Sequence, residues 1–89
     1  MLDRKEFSQL NFKDKCAEIT FKGRLLVSKK FGIHRVFLFW MDGYYVELWF
    51  NDIKAEIHGI NTFESIRGLD FYLDDFVIED LKKIVAEED

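Results

Sequence analysis

Two histidines, His34 and His58, and a second half rich in carboxylates are the residues whose chemistry could reach a metal ion. Imidazole and carboxylate are ordinary zinc ligands, and a single ion needs them within about 2.3 Å of itself. The strands set out below put the two histidines on outer strands at opposite ends of a sheet, about six residues apart along the strand direction, or roughly 20 Å. No HxH, HxxxH or CxxC spacing and no calcium-type acidic loop occurs in the chain. Neither a metal site nor another cofactor is therefore expected.

Nucleophilic chemistry finds no better setting. Cys16 falls on the apolar stripe of a helix, where a free thiol acts as a small hydrophobe. Ser28 and Ser65 lack a Gly-x-Ser-x-Gly surround, and Gly23, Gly32, Gly43, Gly59 and Gly68 fit neither phosphate-cradling spacing, GxGxxG or GxxxxGK[ST]. No catalytic residue is assigned, and the reading leans away from an enzyme. Glu47 is the charged residue that stands out, because it sits between Tyr45 and Trp49 on an apolar face. If that face is covered, the carboxylate needs a donor. It is then a polar anchor in a pocket, a general base, or one half of a salt bridge to Lys54 or a partner's arginine, and the salt bridge is favoured.

The element that positions these groups is a β-hairpin over residues 33–51. Asp42-Gly43 separates two runs dense in β-branched and aromatic residues, and a glycine at the second turn position accepts the positive φ of a type I′ turn. Pairing Met41 with Tyr44 sets Phe39 opposite Val46, Phe37 opposite Leu48 and Arg35 opposite Phe50. That face is read as core. The other face carries His34, Val36, Leu38 and Trp40 against Asn51, Trp49, Glu47 and Tyr45, which is too apolar for a solvated side of a sheet. Its cover is either a second copy of the chain or the C-terminal helix crossing over.

The rest of the chain is read around that hairpin. Asp3-Arg4-Lys5-Glu6 and Asn11-Phe12-Lys13-Asp14 are alternative helix starts. Phe12, Cys16, Ile19, Gly23, Leu26 and Val27 form one helical stripe for the core face, with Gly23 allowing a close approach to the sheet and Phe31-Gly32 as the stop. Phe21 and Leu25 lie off the stripe, either under Leu2, Phe7 and Leu10 or as a contact surface for a partner. A turn at Asn51-Asp52 leads to a third strand, IKAEIHGI; a two-residue turn sets Glu47 against Glu56, a repulsive pair, so a longer turn stays open. Phe63, Ile66, Leu69, Tyr72, Leu73 and Phe76 predict a further helix, and residues 77–85 a last one.

Composition bounds the class. With 48% hydrophobic and 17% aromatic residues in 89, the chain is expected to fold as one α+β domain over residues 1–89. The net charge of −4 is unevenly spread: residues 1–35 hold nine Lys/Arg against four Asp/Glu, and residues 36–89 four against thirteen. Two solvated faces of opposite sign account for this, and an acidic total argues against nucleic acid. The basic Lys13, Lys15, Lys22, Arg24, Lys29 and Lys30 could instead meet an acidic partner. No apolar run approaches the roughly 20 residues of a membrane span, the first ten residues are too polar for a signal peptide, and the single cysteine agrees with a reducing compartment. A cytoplasmic protein is expected.

Lys22-Gly23-Arg24-Leu25, Arg35 to Phe39, Asp42-Gly43-Tyr44-Tyr45-Val46-Glu47-Leu48-Trp49-Phe50, Thr62-Phe63 and Leu69 to Asp75 together resemble a group of small uncharacterised bacterial proteins. In that group an aromatic-Tyr-Val-Glu strand after a tight turn precedes a Tyr-Leu-containing helix. The resemblance implies a fold and no activity.

The expected architecture is a helix packed on a three-stranded antiparallel meander, followed by one or two C-terminal helices. The expected function is a small protein-interaction module, a homodimer or a binder of another protein, through Val36, Leu38, Trp40, Tyr45, Glu47 and Trp49. The alternative is a small-ligand-binding or enzymatic protein with a pocket at that face and Glu47, His58 and Tyr45 as its polar groups.

Overall fold

A computed structural model describes residues 2–75. Two helices, α1 (Arg4–Ser8) and α2 (Phe12–Lys22), lead into four strands, β1 (Arg24–Phe31), β2 (His34–Trp40), β3 (Tyr45–Asn51) and β4 (Glu56–Phe63), and a 3-10 helix (Ile66–Asp75) follows. The strands form one antiparallel sheet in the order β1-β2-β3-β4. The architecture is α+β, as expected, with one strand more than the meander. The expected helix over residues 77–85 lies outside the described residues. No described helix is long and apolar enough to cross a membrane.

Both proposed helix starts are used. Asp3 and Glu6 form a reciprocal capping box at α1, and the Asn11 side chain accepts from the Asp14 N–H at α2. The stripe through Leu26 and Val27, however, does not continue as helix. Gly23 leaves α2 with extended backbone (φ −75°, ψ 143°), and Arg24 to Phe31, apart from Leu26, pair with β2. Gly32 is a hairpin turn and not a helix stop: it alone of Gly32-Ile33 has a positive φ, +64°, the pattern of a type II′ turn. A bulge at Leu26 turns both Leu26 and Val27 toward the same core, imitating helical neighbours. The close approach expected at Gly23 is present at the helix end. A Cβ there would stand 2.6 Å from the Ile19 carbonyl oxygen and 3.1 Å from Met41 Sδ.

The central hairpin has the expected register, from Trp40 opposite Tyr45 to His34 opposite Asn51, and both Asp42 and Gly43 have positive φ. The next turn is the longer one. Asn51, buried, accepts the N–H groups of Ile53 and Lys54 through Oδ1, and Ala55 at φ 54° completes a loop that pairs Asn51 with Glu56. This brings Asn61, and not Glu56, opposite Glu47, which removes the like-charge pair. Phe63, at the head of the expected helical pattern, consequently ends β4, and the helix begins only at Ile66.

Each sheet face has its own core. The face of Val36, Leu38, Trp40 and Tyr45 is closed by Leu69 and Tyr72 of the 3-10 helix. Ile66, Leu69 and Tyr72 recur at steps of three, so they line up along a helix of three residues per turn. On the opposite face Phe7 and Ile19 cover Met41, Tyr44 and Val46. Phe7 thus packs on Tyr44, with ring centroids 5.8 Å apart, and not over Phe21 and Leu25, which stay 84% and 53% exposed.

Two expectations follow. Gly68→Ala drives a methyl to within 2.3 Å of Phe63, whose ring is stacked on Tyr45, so it should destabilise by about 1–3 kcal/mol in urea unfolding. The Tyr44 hydroxyl is pushed up to about 12 by burial and then by Glu18, Asp3 and Glu6. The folded chain holds this proton where the unfolded one, at about 10, has released it. Stability should therefore fall as pH rises from about 10 to about 12, and Tyr44→Phe, followed by the denaturation midpoint, should flatten that fall.

Candidate functional site

The residues expected to meet a partner are mostly inside the molecule. Val36, Leu38 and Tyr45 are fully buried, Trp40 is 6% exposed, and Glu47 and Trp49 are half-buried. The chain itself supplies the cover: Phe71 lies against Trp49 and Phe31, with centroids 6.2 and 5.5 Å away, and Leu69 and Tyr72 fill the centre. A second copy could reach Val36, Leu38 or Tyr45 only if the 3-10 helix left. Of the two covers the sequence allowed, the intramolecular one is the one observed.

Glu47 is paired within this cover. Its Oε2 accepts from the Tyr72 hydroxyl at 2.6 Å and its Oε1 from Asn61 Nδ2 at 3.4 Å. The donor is a tyrosine on the 3-10 helix, and not Lys54 as the favoured salt bridge had it. The longer β3–β4 loop also moves His58 away from Tyr45, whose strand partner is Phe63. The proposed pocket of Glu47, His58 and Tyr45 is therefore not assembled.

The same shift brings the histidines together. His34 Nε2 lies 3.2 Å from His58 Nδ1, where the shorter loop had put the rings roughly 20 Å apart. A bulge on β4 at His58 adds the side-chain displacement that lets it reach past Gly59 toward β2. Trp49 stands edge-on to His34 at 5.9 Å, and Glu56 Oε1 lies 3.3 Å from His58 Nε2. The sequence signals for this cluster were the repulsive Glu47–Glu56 pair of the shorter turn and Asn51, a residue type whose side chain can template a longer loop.

The basic residues do not form one helical surface. Lys13, Lys15 and Lys22 are on α2, where Lys22 pairs with Glu18 at 3.3 Å, while Arg24, Lys29 and Lys30 are on β1. Lys29 turns to the covered face, donates to the Phe71 carbonyl at 2.9 Å and lies 4.7 Å from the centre of that ring. Cys16 is half-buried on α2.

What stays open is part of the opposite face. Phe37, Phe50 and Ile57 are half-buried there, and among the described residues neither core cluster takes them in. The flanking turns add Ile33 and Ile53, 48% and 74% exposed. Comparison with family models, curated proteins and solved structures finds no match to this chain, so geometry alone carries the functional reading.

Tyr72→Phe tests the cover directly. It leaves the ring in place and removes the donor from a half-buried carboxylate, so it should cost about 1–3 kcal/mol in chemical denaturation. Glu47→Gln in the same background should recover part of that loss.

Proposed function

We propose that the protein is a small interaction module that works as a homodimer, its two copies meeting through the half-covered sheet face. The observation that carries this is apolar surface that no core takes in among the described residues: Phe37, Phe50 and Ile57 on the sheet and the 84% exposed Phe21 on α2. Phe21 follows the buried Ile19 by two residues, about 200° around α2, so it points away from the sheet as a bare apolar knob. Phe37 and Phe50 are half-buried on the sheet face whose other end Ile19 of α2 covers. In an isologous two-fold contact each copy would seat its Phe21 on the half-buried Phe37 and Phe50 of the other. The expected partner class is kept and the surface is moved from the aromatic face to its reverse. The single cysteine agrees with a reducing compartment, which supports reading the module as cytoplasmic.

Sedimentation velocity over a range of concentrations tests the reading. The wild type should run as a dimer, and Phe21→Glu and Phe50→Lys should each raise the dissociation constant at least about tenfold with an unchanged circular dichroism spectrum, since a buried Phe is worth about 1.5–3 kcal/mol. A wild type that is monomeric at every concentration sinks the proposal.

A further inference from the structure

We propose that His34 and His58 form a binding site for a divalent transition-metal ion of the zinc class. The site is on the rim of the covered face, so it does not depend on the dimer. Its first support is a distance: the two facing ring nitrogens, His34 Nε2 and His58 Nδ1, are 3.2 Å apart. Two imidazole nitrogens at Zn–N bonds of about 2.0–2.1 Å in a tetrahedral shell stand roughly 3.3–3.4 Å from each other. The pair is thus already spaced as ligands of one ion. Without an ion His34 Nε2–H donates to the His58 Nδ1 lone pair; the other neutral tautomer of His34, protonated at Nδ1, and a modest turn of each ring let both lone pairs converge on one ion.

The second support is the proton arrangement. Glu56 Oε1, 3.3 Å from His58 Nε2, accepts the proton of that nitrogen and leaves Nδ1 of the neutral ring as a lone pair directed at His34. A carboxylate behind a ligating imidazole is the usual second partner in metal sites, because it fixes the ring's orientation and raises its basicity. Trp49 holds the other ring edge-on, at 5.9 Å and 71°. The rings are not sealed in: His34 is half-buried and His58 exposed, so an ion reaches them from solvent.

The shell is incomplete by design of the fold. Among the described residues no three His, Cys, Asp or Glu side chains gather as one ligand set, so water fills the remaining positions. Two imidazoles with open positions suit Zn2+, Ni2+ and Cu2+ and do not suit Mg2+ or Ca2+, which take oxygen ligands.

Isothermal titration with Zn2+ alone, near pH 7.5 where an ordinary imidazole is mostly neutral, tests the site. One ion per chain is expected. His34→Ala and His58→Ala should each weaken it at least about tenfold, Glu56→Gln by a similar or smaller factor, and Cys16→Ser should leave it unchanged. In the wild type, Zn2+ should perturb the ring resonances of both histidines together, a readout that needs no variant. The proposal is overturned if Zn2+ gives no saturable binding, if either histidine variant binds like the wild type, or if Cys16→Ser removes the binding.

Discussion

The hydrogen bond from Tyr72 to Glu47 is the constraint around which this molecule is built. A carboxylate in the middle of an aromatic sheet face forbids an ordinary apolar lid, because covering it without a donor would leave charge in a low-dielectric setting. The 3-10 helix answers with a tyrosine whose ring joins the core and whose hydroxyl reaches the carboxylate at 2.6 Å. One side chain thereby fixes both the depth and the lateral position of the lid. Leu69, three residues earlier, then falls on the same line and seals the centre.

The hairpin was legible because Asp42-Gly43 allows one register and because the strand period then assigns every side chain to a face. The burial of Val36, Leu38 and Tyr45 followed from composition alone; what covered them did not. Arg24 to Phe31 misled for a physical reason. Leu26 and Val27 are adjacent apolar residues in either periodicity, and a bulge is invisible to pattern reading, since it adds a residue to one strand without altering its composition. Gly32 likewise serves equally well as a helix terminator or a II′ turn.

The misplacement of the histidines shows how much rests on one loop. A two-residue turn at Asn51-Asp52 and a four-residue loop over residues 52–55 start from the same Asn-Asp signal. They differ in where every later side chain on β4 falls. The repulsion between Glu47 and Glu56 in the shorter version was the readable warning, and Asn51, accepting two successive N–H groups from within the loop, is the residue that selects the longer one. Loop length thus decides whether two imidazoles are remote or adjacent.

The two bulges have a further consequence. One is at Leu26 on β1 and the other at His58 on β4, and among the described residues these are the two outermost strands of the sheet. An open sheet ends in rows of unpaired N–H and C=O groups that template the addition of another chain, and from there fibrillar stacking. A bulge breaks the regular repeat of such a row and twists it away from a flat approach, and the exposed Lys30 adds charge to the β1 side. Both outer strands of the described sheet thus carry an irregularity of the kind that disfavours the addition of a further strand.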